Sequence, residues 1–311
     1  MSPLMTRRRA LAILACGTGA IAASAARSAA CYEWHGIALG ADASLLFHDA
    51  SRKRAEEAVA ASMAEVDRLE AIFSLFLPDS EISRLNREGR ISAPSLDLRA
   101  VLDLSRRLHS LTDGLFDPTI QPVWRHYADL ALKSSVLFDG GISRCLEAVG
   151  MERVAVGGEE VRLPPGAAIT LNGIAQGYIT DRVADILRLR GWTSVLADLG
   201  EVRALEGRTF DVLVRGGAGT VSLAGGALAT SATEGTLIGP GSGISHVLNP
   251  KTGAPAHQWR TVTVRHTSAA VADGVSTALL LADRTQARRI LSRLSGASAW
   301  ATTQSGSTVS L

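Results

Sequence analysis

Residues 170–201, TLNGIAQGYITDRVADILRLRGWTSVLADLGE, set a turn with two glycines against an amphipathic helix and then a strand. Ile179, Val183, Ile186 and Leu187 fall on one side at helical spacing, and Gly191 supplies the stop. A helix with one apolar face that runs at once into a strand has to pack on a sheet, which restricts the chain to mixed architectures. The remaining segments obey that restriction. GIALGADASLLFHD alternates apolar and small residues like a strand that opens a sheet. Ala55, Val59, Met63, Val66, Leu69 and Ile72 line one face of a helix over about 52–74, which breaks at Pro78. Asp79 and Ser80 read as the cap of a short helix, and Leu98, Val101, Leu102, Leu104, Leu108 and Leu111 mark another that Asp113-Gly114 ends. The middle, 130–170, reads as a small helix and a hairpin, and 210–245 as a glycine-rich strand region. A strand RTVTVRH, helices over about 270–282 and 285–295, and a strand near 298–303 complete the chain. Strands and helices alternate irregularly, so an α+β arrangement is expected rather than a doubly wound sheet, and no linker divides residues 31–311.

Composition narrows the function. A chain of 311 residues with 46% hydrophobic and 20% charged residues has the makeup of a globular protein. Its net charge of +2 comes from 32 basic and 30 acidic residues without a basic run beyond the N-terminus, so nucleic acid is not an expected partner. Residues 1–30 differ from the rest: Arg7, Arg8 and Arg9 precede an uncharged apolar and small-residue stretch with alanine-rich sites suited to signal peptidase. This reads as an export signal, and Thr6-Arg7-Arg8 resembles a twin-arginine start; a general secretory signal with three arginines is the alternative. The expected location is the bacterial periplasm. Cys16 would leave with the signal, and Cys31 and Cys145 make no disulfide framework. Cys31, directly after RSAA, is a candidate lipid anchor, although Ser28 stands where a large aliphatic is usual.

Four clusters hold residues with chemistry to offer. Gly173 and Gly177 precede a helix start, whose unpaired N–H groups suit a phosphate; the plainer explanation is a tight turn and close helix packing. Asp273 and Thr277, four residues apart in AAVADGVSTALLLA, place two hard oxygen donors on one helix face, as Mg²⁺ prefers. A helix cap and a back-bonded threonine would give the same pattern. His246, ahead of the NPKTGAP turn, has the pKa range of a general base. Phe116 and Asp117, in TDGLFDPTIQP, offer a ring and a carboxylate, or simply a capped loop.

Order joins them. With FSLFLPDSEISRLN, TDGLFDPTIQPVW, LNGIAQGYITDRVADIL, GWTSVLADLGE, ALATSATEGT, HVLNPKTGAP and ADGVSTALLLA in sequence, the chain resembles the ApbE family, the FAD:protein FMN transferases, from about residue 35 to 300. The resemblance implies a single compact two-lobed catalytic domain with a flavin cleft between the lobes. It implies FAD as substrate, Mg²⁺ at the pyrophosphate, and transfer of FMN to a Thr or Ser hydroxyl of a target flavoprotein with release of AMP. By the same resemblance Asp273, Thr277 and the Gly173 carbonyl hold the metal, and His246 acts as base. Leu39, Phe76, Leu115, Phe116, Asp117, Thr170, Gln176 and Leu248 contact FAD, and the helix start near Gly177 faces phosphate.

The chain departs from the family pattern at Gln176, where Lys or Glu is usual, and at Thr170, where an acid is usual. It also has the single Gly200 followed by Glu201, Ala232 closing Thr-Ser-Ala, and Phe76 in place of a common tyrosine. The glycine-turn variant is similar to the NosX-like branch associated with nitrous oxide respiration, whose target would be a membrane-bound electron-transfer flavoprotein with a periplasmic domain. Two further readings remain: a pyrophosphatase that splits FAD into FMN and AMP, and a non-catalytic FAD-binding or delivery protein.

Overall fold

The computed structural model describes residues 22–23, 31–132, 140–214, 216–234, 236–239 and 243–311. The expected export signal, its arginines and Cys16 lie outside the described residues, except for a two-residue strand β1 (Ala22–Ala23). In chain order there follow β2 (Cys31–Ala38), β3 (Ala41–His48), α1 (Arg52–Phe73), α2 (Glu81–Glu88), β4 (Arg90–Ser92), α3 (Leu96–Leu111) and α4 (Gln121–Leu132). Next are α5 (Gly141–Leu146), β5 (Ala155–Val156), β6 (Glu160–Arg162), α6 (Ala175–Leu189), β7 (Val195–Asp198) and β8 (Val202–Ala204). Then come β9 (Phe210–Val214), β10 (Gly219–Leu223), β11 (Gly226–Ala232), β12 (Thr261–His266), α7 (Ala269–Leu281), α8 (Arg284–Ser292), β13 (Ser298–Thr302) and β14 (Thr308–Ser310).

Eight strands form one antiparallel sheet in the order β14-β13-β12-β11-β8-β7-β3-β2. Strand alternation supplies both faces of it. Leu45 and Phe47 of β3 join the large core under α1, α6 and α7, whereas Leu46 between them turns to Val212, Val221 and Leu223 of the β9–β10 hairpin. A helical layer therefore covers one face and a small antiparallel sheet the other, the α+β class the sequence implied. A separate cluster, Val123, Tyr127, Ile238, Ile244 and Leu248, gives the second lobe its own core.

The structure differs from the sequence reading at two places. GIALGADASLLFHD is not one strand but the turn and second arm of a hairpin: residues 31–38 pair with 41–48, and Leu39 and Gly40 take φ of 54° and 78° between them. A two-residue loop of the type I′ class takes that left-handed backbone at both positions, and Leu39 is an uncommon residue to supply it. The second difference is α4, which occupies QPVWRHYADLAL where only turns and short elements were expected. Its Val123, Tyr127 and Leu130 are buried at the spacing of a helix face, behind Pro122 in the first turn where a missing N–H costs nothing.

Candidate active site

A cavity of about 310 Å³ opens between the two lobes. Its floor comes from the glycine turn before α6 and from α7, its walls from the 115–117 turn, α4 and the segment around His246, and Phe76 stands on its rim. Phe76, Leu115, Phe116, Asp117, Thr170, Gly173, Gln176, His246, Leu248, Asp273 and Thr277 all border it. Leu39 does not; it sits at the β2–β3 turn within the large core.

Two helices meet at the floor with almost no space between them. A Cβ on Gly177 would lie 2.4 Å from the Ala269 carbonyl oxygen, so α6 and α7 touch through backbone. The Gly177 N–H donates to Asp273 Oδ2 at 3.1 Å. The helix start thus fixes a carboxylate, where the sequence reading had it facing phosphate. Ser268 caps α7, and Asp181 accepts from Ser268 Oγ and from the N–H groups of Ala269 and Ala270 while pairing with Arg203 at 3.1 Å. Asp273 is therefore not a cap; it lies in the second turn. Thr277 Oγ1 does bond back to the Asp273 carbonyl at 3.2 Å, as the plainer reading had it. It also lies 3.0 Å from where a Gly173 Cβ would be, and the Gly173 carbonyl oxygen lies 3.7 Å from where a Gly274 Cβ would be. Phe116 packs on both of those glycines. Gly173, Asp273 and Thr277 are brought together across about a hundred residues of sequence.

Replacing Gly177 by Ala is expected to cost about 2–3 kcal/mol, because the methyl meets backbone rather than a movable side chain. Thermal unfolding measures it; a Tm within 1–2 °C of the parent, about the resolution of such a shift, would show that the two helices separate freely.

The charge on this floor is unusual. Asp273 is 4% exposed, and burial pushes its carboxyl up to about 7 against the Gly177 N–H that lowers it. Burial, then Asp273 and Asp198, hold Glu201 well above the ordinary carboxylate range, although Thr230 N–H donates to it at 3.2 Å. Burial likewise raises Asp198 to about 6. Among the described residues no Lys or Arg forms an ion pair with these three acids. Buried carboxylates cost free energy unless a cation or hydrogen bonds compensate them, so this is a well of acids held toward the neutral form, which a bound cation would ionise. Ser231 Oγ, 3.3 Å from Thr277 Oγ1 and 2.8 Å from Ser276 Oγ, adds a hydroxyl beside it.

His246 faces the well from the other wall. Its Nδ1 is 2.9 Å from the Thr236 carbonyl, which can only accept, so the proton sits on Nδ1 and the lone pair on Nε2. Burial lowers its pKa, leaving the ring neutral near pH 7. Asp117, by contrast, has no oxygen left for a ligand: Oδ1 accepts from Thr119 N–H and hydroxyl, and Oδ2 from Met151 N–H with His109 beside it. It shapes the turn that presents Leu115 and Phe116. Gln176 packs over Gly200, where an added Cβ would lie 2.7 Å from the Gln176 amide nitrogen and where the φ of 101° itself disfavours any residue but glycine.

The site also uses residues that motif reading passed over: Trp124 and Arg125 on α4, and Asn172 in the glycine turn. The period of Val123, Tyr127 and Leu130 was the available signal for α4.

The chain has known relatives in sequence and in fold. The model of the ApbE family matches residues 39–300. The chain is 25% identical over 258 residues to the FAD:protein FMN transferase of Haemophilus influenzae, covering 75% of this chain and 73% of that one. It is 28% identical over 241 residues to the FAD:protein FMN transferase of Vibrio cholerae, with 70% and 72% covered. Among solved structures, an ApbE protein of Thermotoga maritima superposes with a TM-score of 0.80 at 23% identity, over 90% of this chain and 97% of that one. The apo flavinyl transferase ApbE of Pseudomonas stutzeri gives 0.77 at 23% identity, over 90% and 94%.

Proposed function

The chain belongs to the ApbE family, and from that premise we propose that it transfers FMN from FAD to a Thr or Ser hydroxyl of a target flavoprotein, releasing AMP. The observation that supports the reading is the placement of Asp273, Thr277 and Gly173 together on the floor of a cavity that Phe76, Phe116 and Leu248 also line. The donor set is all oxygen, its carboxylate is buried, and no basic side chain among the described residues pairs with that carboxylate, which fits Mg²⁺. Asp273, Thr277 and Gly173 would hold the ion, which when bound neutralises charge developing on the diphosphate.

The side chains of this chain do the rest. The acceptor hydroxyl oxygen bonds to the FMN-side phosphorus, the bond from that phosphorus to the bridging oxygen breaks, and AMP leaves with that oxygen. The hydroxyl proton passes to His246 Nε2, the nitrogen left free by the Thr236 contact. Phe76 and Phe116 offer ring faces and edges for the isoalloxazine. The 115–117 and 170–173 segments border the cavity that FAD would enter.

The export signal expected at 1–30 would put this reaction in the periplasm, and the similarity to the NosX-like branch suggests a membrane-bound electron-transfer flavoprotein as acceptor. One incubation tests the transfer: protein, FAD, Mg²⁺ and an acceptor domain carrying the target hydroxyl, followed by intact mass. A covalent FMN increment on the acceptor with equimolar AMP is expected. AMP without modified acceptor would make the protein a pyrophosphatase, and bound FAD without AMP a flavin carrier.

A further inference from the structure

His109, near the C-terminus of α3, touches nothing in the cavity, yet it supports the turn that forms one wall of it. Its Nδ1 lies 3.2 Å from Asp117 Oδ2 and 3.2 Å from the Phe116 carbonyl. Its Nε2 lies 3.4 Å from Glu152 Oε2. Every partner is an acceptor: the neutral ring can still donate from Nδ1 to Asp117 and Phe116, and only the imidazolium also donates from Nε2 to Glu152 and sets a positive charge against the buried Asp117 carboxylate. Asp117 is 2% exposed in its side chain, and His109 20%, so the first contact is protected from water; Glu152, at 63%, contributes less. The same Asp117 carboxylate accepts from Thr119 and Met151, and Thr119 Oγ1 accepts from Gly150 N–H. Among the described residues His109 is thus the only titrating donor to the carboxylate that ties α3, the 115–117 turn and the 150–151 loop together.

We propose that His109, donating from both ring nitrogens, is a protonation-dependent clamp on the 115–117 turn and thereby a positioning residue that tightens FAD binding at low pH. The proposal rests on the flavin-transferase reading above.

The electrostatic surroundings support the sign. Asp117, with Glu152 and burial acting against each other, leaves the His109 pKa above the ordinary histidine value. A raised pKa means that the clamp is complete below about pH 6.5, the unperturbed value, and that its charge-assisted part and the Nε2 donation are lost as pH rises through the folded value, leaving the weaker neutral Nδ1 donation. The other charges near this corner are accounted for. The Lys251 stem, from the 249–253 turn, crosses Gly114 on the same side as His109. Asp113 turns away to Arg289 and Arg293 of α8, Arg106 pairs with Asp103, and Arg153 donates to the Glu147 and Val149 carbonyls. The three ligand-type side chains His109, Asp117 and Glu152 lie within 4.8 Å of one another, but the Asp117 oxygens are already engaged by N–H and O–H donors, which suits a proton better than a metal.

FAD fluorescence titrations on wild type and His109→Gln at pH 6 and pH 9, with Mg²⁺ constant, test it. His246, Asp198, Glu201 and Asp273 titrate in both proteins and cancel in the ratio of dissociation constants. His109→Gln is expected to bind FAD at least about tenfold more weakly at pH 6, the scale of one charge-assisted hydrogen bond, and the deficit is expected to shrink severalfold at pH 9, where the neutral ring keeps only its Nδ1 donation. The same deficit at both pH values would mean that His109 is mere scaffold and overturns the proposal. Should the variant not fold, the His109 ring in wild type is followed by nitrogen NMR. A midpoint above the ordinary histidine range supports the clamp, and one at or below it overturns it. Wild type that takes up no FAD at either pH overturns the transferase reading and the flavin half of the proposal together, and the NMR midpoint still decides the clamp alone.

Discussion

Asp273→Asn is expected to lower FMN transfer by about 100-fold or more while leaving the stability of the metal-free protein nearly unchanged. The two halves follow from the same geometry. The amide has the volume of the carboxylate and can still accept from Gly177 N–H, so the α6–α7 contact survives. Removing a buried negative charge beside Glu201 relieves repulsion rather than leaving a partner unpaired, since no Lys or Arg pairs with it among the described residues. What disappears is the one anionic ligand in the set Gly173, Asp273 and Thr277. A ligand that binds only the folded state stabilises it by mass action, so Mg²⁺ should raise the Tm of wild type and not of the variant. Thermal shift with and without Mg²⁺, beside an AMP-release assay, measures both. Activity above about a tenth of wild type, or an equal Mg²⁺ shift in both proteins, would remove Asp273 from the centre of the site.

His246→Ala should lower transfer by about 10²–10⁴-fold, the range over which a positioned base contributes, with FAD affinity changed far less. The Thr236 carbonyl takes the Nδ1 proton and burial keeps the ring neutral, so wild type carries a ready base at Nε2. The pH dependence has a defined direction. A lowered histidine pKa means that the base is lost only on acidification, so kcat should rise through a midpoint below the ordinary histidine value and then level. The variant should lack that limb. Stopped-time mass analysis of the acceptor across pH separates the two proteins. A variant that keeps the acid limb, or loses FAD binding as much as turnover, would assign His246 to the wall of the cavity and the proton to another group.

Much of this molecule can be read along the chain because helix and strand periods are local. The apolar faces at Ala55 to Ile72, at Leu98 to Leu108 and at Ile179 to Leu187 each became a helix packed on the sheet. The hairpin at 31–48 escaped because its loop is Leu39-Gly40, without the Asn-Gly or Asp-Gly signal, and only the paired register of the two arms reveals the turn. The short α4 escaped because its apolar residues match a second-lobe core, Ile238, Ile244 and Leu248, that arrives more than a hundred residues later. The metal-type trio was nameable only through motif order; spacing alone gave Asp273 and Thr277 one helix face and said nothing of Gly173.

The sequence by itself settled the element types and the family, since 3.6- and 2-residue periods and an ordered motif set are properties of neighbours along the chain. Tertiary structure decided everything that depends on distance through space. It gave the Gly177 N–H to a carboxylate instead of a phosphate and saturated Asp117 with protein donors. It buried Glu201 and Asp273 together with no basic partner among the described residues. Dielectric and hydrogen-bond competition set those outcomes, and both act between groups that only folding brings within a few ångströms.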